Sequence, residues 1–267
     1  MNSECDPFPE LKSMNEHTIR PIAYIRTDFK EKFGIPRQSS LVPDLFGTIV
    51  FEEPYASPAA IRGIEEYSHL WIIWGFSENF DKEGTCPDPG KSANAKTKPA
   101  PVLTVCPPRL GGREKRGVFA TRSPFRPNGL GLSCVKLEQV IADGSRIKGI
   151  LVSGVDMLDG TPVYDIKPYI PYADSFPEAE GGFGQRQAAF KVKVDFPQKL
   201  LEKLPEEKRT AALHVLEQDP RAAYNKNPGY VYGLSFAGYD IRFTAEEDRI
   251  TVRDVLDQTA EGFENVK

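Results

Sequence analysis

Apolar residues recur in short runs rather than long amphipathic stretches, and the spacing of those runs predicts a chain built mainly from strands. Residues 18–26 (TIRPIAYIR) and 47–51 (GTIVF) carry the β-branched and aromatic content of strands, with Pro21 near an edge or a strand end. The run LWIIWGF, residues 70–76, is continuous and too short for a typical helix, which predicts a strand buried on both faces. Residues 117–121, 132–141 and 146–153 read as further strands, with Asp143-Gly144 as a hairpin turn between the last two, and residues 163–166 as a short addition. Residues 57–64 read as a short helix with Ser57 at its N-cap and Pro58 at its first position. Strands therefore follow strands through residue 176, without the helices a doubly wound sheet requires. The expected architecture is mainly β: an antiparallel barrel or strongly curved sheet.

The texture changes near residue 177, where PEAEGGFGQRQ marks a linker. Residues 197–204 and 206–218 then read as helices, and residues 230–236, 239–244 and 249–255 as a three-stranded meander with Ala237-Gly238 as its first turn. The organisation expected is a loose segment over 1–17, a β-barrel domain over 18–176 and a small α+β domain over 186–267.

Residues 77–108 are rich in Lys, Pro, Gly, Ser and Asn and read as a long loop. The start, MNSECDPFPELKS, lacks the basic and apolar stretches of a secretion signal, and no run of about 20 apolar residues occurs. A cytoplasmic protein is the expectation, with no membrane partner. Cys5, Cys86, Cys106 and Cys134 are scattered, without a CxxC pair or a histidine at zinc-site spacing, so free thiols and no metal are expected.

A net charge of −4 argues against a nucleic-acid binder until its distribution is considered. Between Arg109 and Arg126 the chain places Arg109, Arg113, Lys115, Arg116, Arg122 and Arg126 against the single acid Glu114. Glycines and prolines interleave these cations, which favours an ordered loop able to attract a phosphate-bearing ligand over a solvated helix face. Arg122 and Arg126 offer planar donors to carboxylates or phosphates, or pin the loop to neighbouring carbonyls.

A second polar concentration, residues 154–175, holds Asp156, Asp159, Asp165, Lys167, Tyr169 and Tyr172. Asp159-Gly160-Thr161-Pro162 is a turn signature whose amides suit a ligand's polar edge, or which simply turns the chain. Asp165 and Lys167 share a strand face, so they either act on a ligand or pair with each other. Pro36-Arg37-Gln38, after Gly34, forms a rigid corner with one cation and one amide. His69 precedes an apolar strand and reads as structural, and His17 and His214 have no catalytic context. Gly129-Leu130-Gly131 lacks the third glycine of a dinucleotide fingerprint, no Walker A motif occurs, and no nucleophile motif supports a hydrolytic triad.

IPRQ, EEYSHLWIIWGF, RLGGREKRGVFATRSPFRPNGLGLS and VDMLDGTPVYDIKPYIPYADS occur in that order, and together they resemble the motifs of the TrmO (TsaA-like) family. The match runs from Ile19 to Ser175, and DPRAAY, Asp219 to Tyr224, resembles the signature of that family's C-terminal extension. The resemblance implies a single-sheeted β-barrel that binds S-adenosylmethionine, acts as a homodimer and methylates N6 of threonylcarbamoyladenosine at position 37 of tRNA. It also implies that Pro36, Arg37, Gln38, Arg122, Leu132 and the turn of Asp159, Gly160, Thr161 and Pro162 contact the methyl donor. Ser77 and Glu78 stand where the family more often has a His-Gln pair that approaches the cofactor. Asp165, Lys167 and Tyr169 are the candidate catalytic residues, and Arg113, Arg116 and Arg126 the candidate RNA contacts. Two readings stay open beside this one: methylation of another nucleotide or small molecule, and an RNA-binding module without turnover.

Overall fold

A computed structural model describes residues 17–77, 101–107, 114–185, 190–221, 227 and 229–259. Its strands are β1 (Ala23–Thr27), β2 (Phe46–Phe51), β3 (His69–Gly75), β4 (Thr104–Val105), β5 (Arg116–Gly117), β6 (Leu130–Asp143), β7 (Arg146–Ser153) and β8 (Pro162–Pro168), followed by β9 (Lys193–Asp195), β10 (Val231–Phe236), β11 (Tyr239–Glu246) and β12 (Arg249–Asp257). Helices α1 (Pro171–Asp174), α2 (Gly182–Gln185), α3 (Gln198–Leu201) and α4 (Glu206–Glu217) all fall in the second half of the chain.

Six strands close a barrel in the order β1-β2-β7-β6-β3-β8, every neighbouring pair antiparallel. Alternation selects the lining: Leu70, Ile72 and Trp74 of β3 are buried, as are Ile25 of β1, Ile49 of β2, Val135 of β6 and Ile150 and Val152 of β7. The other face of β3 is covered only in part. Trp71 and Ile73 are half-buried, so the expectation of a strand buried on both faces is corrected. The indole N–H of Trp71 points outward to Asp174 of α1 at 3.1 Å, which explains why a bulky aromatic sits on that side.

β4 and β5 form a separate two-stranded ribbon, and β10-β11-β12-β9 form a second sheet. The expected meander is present, with Ala237 and Gly238 at φ 52° and 84° in its tight turn. It gains a fourth strand, β9, paired in parallel with β12 through Ile250 and Val194, which is too short and too charged to signal itself. The apolar face of α4, made by Ala211, Ala212, Val215 and Leu216, is buried in the same core as Leu234, Phe236, Ile241 and Phe243.

Three local expectations change. Residues 57–64 form successive turns that end in a 3-10 turn, Ile64–Glu66, rather than an α-helix. The Ser57 hydroxyl does accept the Ala59 amide at 3.3 Å, but so short a segment gains little from helix propagation, and Gly63 at φ 86° turns the chain left-handed. Residues 117–121 are extended only at Arg116–Gly117, because the Thr121 hydroxyl closes a 3-10 turn onto the Val118 carbonyl at 2.9 Å. The helix expected over 197–204 is confined to Gln198–Leu201. Most of the expected 77–108 loop lies outside the described residues.

Barrel and second sheet share one core. Phe29 and Phe236, both fully buried, meet with ring centroids 5.4 Å apart. Gly34, at φ 95°, lies so close to Leu234 that a Cβ there would come within 2.1 Å of its Cδ1. Polar links close the seam: Lys208 to Asp28 at 2.6 Å, His214 to Asp44 at 2.6 Å, and the guanidinium of Arg37 to the Arg221 carbonyl at 3.1 Å. Cys106 and Cys134 are free thiols, whereas Cys5 and Cys86 lie outside the described residues. Among the described residues no helix is long and apolar enough to cross a membrane, and no cluster of His, Cys, Asp and Glu could hold a metal.

Candidate functional site

The barrel wall opens where β6 and β7 part. Their pairing runs from the Asp143–Arg146 hairpin to Lys136 and Ser153. At Gly154, φ 77°, the chain turns away, which leaves the Leu130–Val135 edge of β6 to another partner. That partner is the corner after β1. The Cys134 amide donates to the Ser39 hydroxyl at 3.1 Å, the Ser40 hydroxyl donates to the Cys134 carbonyl at 3.1 Å, and the Ser40 amide donates to the Gly154 carbonyl at 2.8 Å. Backbone groups two residues apart on a strand point the same way, so the N–H and C=O of Leu132 face this opening too. The Leu132 side chain is 55% exposed.

Three side chains converge at the opening. Arg122 donates to the Gln38 side-chain carbonyl, and Gln38 in turn donates to the Arg37 carbonyl. Asp156 follows the Gly154 bend. Its Oδ1 accepts the Ser133 hydroxyl at 2.6 Å, and Ser133 accepts the buried Trp74 indole N–H at 2.9 Å. An indole N–H only donates, so the single proton of Ser133 is directed to the carboxylate. Loss of water pushes the Asp156 carboxyl up to about 6; hydrogen bonds from Ser133 and from backbone amides, with the charge of Arg122, limit the rise.

The sign of this shift fixes a pH dependence. Asp156 binds its proton more tightly when folded, near 6, than at its ordinary 3.8, so the folded chain loses stability as pH rises from about 4 through about 6 and levels off above. Two pKa units correspond to ~3 kcal/mol. Asp156→Asn keeps the acceptor for Ser133 and removes the charge. Denaturant unfolding without added ligand should therefore show the variant gaining on the wild type by up to that amount between pH 4 and pH 7; parallel profiles would show that Asp156 is not strained by burial.

Gln38, Arg122 and the backbone of Leu132 are thus brought together with Ser39, Ser133 and Asp156, whereas Pro36 is buried and the Arg37 guanidinium turns to the Arg221 carbonyl. Sequence reading noted Asp156 only as one acid of a cluster and did not select the two serines. The signal available for Asp156 was its place directly after a Gly-Val step at the end of a strand. Ser77 is exposed just beyond β3, and Glu78 lies outside the described residues.

The turn at Asp159 is placed differently. Its carboxylate accepts the Thr27 amide at 3.0 Å and lies 2.6 Å from Lys30 and 3.5 Å from Arg26. Burial alone would raise this carboxyl, but those partners hold it below the usual range. The amides of Asp159, Gly160 and Thr161 donate to the carbonyls of Phe29, Ile25 and Leu158, and Pro162 begins β8. All three amides thus have backbone partners within the fold, and the turn ties β8 to β1 and the segment that follows it.

Asp165, Lys167 and Tyr169 lie on the outer face of β8 and beyond its end. Across that face Leu132 neighbours Ile73, which neighbours Asp165; Cys134 neighbours Trp71, which neighbours Lys167. Asp165 and Lys167 are exposed and form no ion pair with each other, and Asp165 accepts the Ile166 amide at 3.0 Å. The Tyr169 ring lies 5.7 Å from Trp71 and 6.2 Å from His69. Leu132 therefore belongs to both the opening and the outer row that carries Asp165.

Of the candidate RNA contacts, Arg113 lies outside the described residues. Arg116 pairs with Glu114 and stands 5.8 Å over the Phe183 ring. Arg126 donates to the Thr121 carbonyl at 3.1 Å, so it pins the loop, as one of its two expected roles required.

Comparison with known proteins places this geometry. The family description tRNA-methyltransferase O N-terminal domain matches residues 24–175, and TrmO C-terminal domain matches residues 189–258. The chain is 37% identical over 238 residues to tRNA (adenine(37)-N6)-methyltransferase of Escherichia coli, covering 86% of this chain and 94% of that protein. It is 40% identical over 191 residues to the protein of the same name from Eikenella corrodens, covering 71% and 97%. The crystal structure of TrmO from Pseudomonas aeruginosa superposes with a TM-score of 0.65 at 33% identity, covering 90% of this chain and 99% of that one. With both halves matched, and in the same order, the chain belongs to the tRNA-methyltransferase O family.

Proposed function

We propose that this protein is an S-adenosylmethionine-dependent tRNA (adenine(37)-N6)-methyltransferase, with the donor held at the opening between β6 and β7. The observation that carries this is the convergence of Arg122, Gln38 and Asp156 beside the edge of β6 that Ser39 and Ser40 reach at Cys134. The donor set suits the ligand: S-adenosylmethionine has an amino-acid carboxylate for a guanidinium, cationic groups for a half-buried carboxylate, and an adenine edge for strand N–H and C=O groups. When bound, it supplies a methyl group made electrophilic by its sulfonium.

The chain's own part is to orient and to manage one proton. Nitrogen methylation needs an in-line approach more than a covalent intermediate, so fixed positions for both partners contribute most. Asp165 takes the N6 proton, Tyr169 is the alternative base further along the same outer face, and Lys167 holds a carboxylate of the substrate. Such a carboxylate is what a threonylcarbamoyl group on the adenosine provides. We read residues 18–176 as the donor-binding unit and 186–267 as an accessory unit. The protein is proposed to work as a cytoplasmic homodimer whose basic loop, with Arg113 and Arg116, faces the tRNA.

Asp165→Asn should lower kcat by about 10²- to 10⁴-fold with donor affinity unchanged, measured by single-turnover methyl transfer and by calorimetry with S-adenosylhomocysteine. Full activity of the variant removes Asp165 from the mechanism.

A further inference from the structure

At the open end of the β4–β5 ribbon, where β5 passes into the 3-10 turn Val118–Ala120, two apolar residues stand exposed beside the basic segment. Phe119 is 76% exposed and Leu103 68%, and the Val118 amide, one residue before Phe119, donates to the Leu103 carbonyl at 2.9 Å. Phe119 does not ride on a slack loop. It sits on the 3-10 turn Val118–Ala120, whose anchor Val118 is 2% exposed, and the Thr121 hydroxyl and the Arg126 guanidinium brace the end of that turn. Lys115, Arg116, Arg122 and Arg126 all lie within seven residues of it along the chain, and Glu114 is the only acid between 114 and 126. Three residues on, Arg122 is already part of the donor opening.

A rigid, outward aromatic ring among cations matches one chemistry closely: an unstacked base lying on the ring while its phosphates meet the positive charges. A second copy of this chain fits less well, because a two-fold contact on this patch would bring its own cations face to face. We infer that Phe119 is a stacking platform for an unpaired base of the substrate RNA, at the rim of the donor opening. This rests on the tRNA reading above.

The two contributions separate by salt. Phosphate contacts set the slope of affinity against salt concentration, whereas stacking shifts affinity without changing that slope. In binding titrations of full-length protein with bulk tRNA over a series of KCl concentrations, Phe119→Ala should bind roughly 5- to 100-fold more weakly at every concentration with the wild-type slope. Phe119→Leu should be as weak as alanine. Phe119→Trp should keep wild-type affinity, and its added fluorescence over Trp71 and Trp74 should be quenched by tRNA. Affinity for S-adenosylhomocysteine should be unchanged in all three, which shows that they fold. Wild-type tRNA affinity in Phe119→Ala or Phe119→Leu overturns the platform, as does a Phe119→Ala variant that binds tRNA normally but sediments as a smaller species. Failure of the wild-type protein to bind tRNA overturns the tRNA reading itself.

Discussion

Arg122→Met is expected to weaken binding of S-adenosylmethionine by about 10- to 100-fold, the equivalent of losing ~1.5–3 kcal/mol of charged hydrogen bonding. Methionine keeps much of the apolar stem, so the loss isolates the guanidinium. Two consequences distinguish this from general damage. Gln38 loses the donor to its side-chain carbonyl, and Asp156 loses a cation that restrains its rise. Donor affinity in the variant should therefore recover partly as pH is raised from 6 to 8, more than in the wild type. Arg122→Lys should restore charge but not the planar fork, and so recover only part of the affinity. Calorimetric titration at three pH values tests all of this; wild-type affinity in Arg122→Met would remove the arginine from the donor site.

Gly131→Ala should have the second large effect, although the added group is one methyl. A Cβ at this position would lie 2.3 Å from Cε2 and 2.5 Å from Cζ2 of Trp74. The indole cannot easily retreat. It is 7% exposed, its centroid is 4.3 Å from that of Phe76, and its N–H holds Ser133. Overpacking of this kind costs ~1–3 kcal/mol, which for a chain of this size lowers Tm by roughly 2–12 °C. Displacement of the ring also releases Ser133, and with it the hydrogen bond that orients the Asp156 carboxylate, so donor affinity should fall together with stability. Combining Gly131→Ala with Trp74→Phe reduces the bulk that clashes and should recover part of the stability without recovering the donor affinity. A Gly131→Ala protein with wild-type Tm and donor affinity would show that the Trp74–Ser133–Asp156 chain is not rigid.

Local signals account for what could be read without coordinates. β7 begins at Arg146 and ends at Ser153 as expected, because Asp143-Gly144 fixes one end and the Gly154 bend the other. The meander after residue 230 is legible for the same reason, since each of its strands alternates cleanly between turn residues. What failed were features that depend on distant partners. β9 exists only because β12 offers it an edge. The opening proposed for the donor is assembled by Ser39 and Ser40 binding Cys134, more than ninety positions away in sequence. Asp-Gly-Thr-Pro at 159–162 reads correctly as a turn, but whether its amides face a ligand or the barrel depends on Phe29 and Ile25. The resemblance to a known family supplied the donor and the substrate class; the coordinates add Asp156, joined to Ser133 and Trp74 by hydrogen bonds that no local pattern announces.

The most direct test is methyl transfer from labelled S-adenosylmethionine to two tRNA pools, one from normal cells and one from cells that lack the threonylcarbamoyl modification. Label should enter only the modified pool and map to N6 of the adenosine at position 37, the position named for the Escherichia coli relative. Label in neither pool, from protein that binds the donor, would contradict the assignment of tRNA as substrate; equal label in both would contradict recognition of the threonylcarbamoyl group.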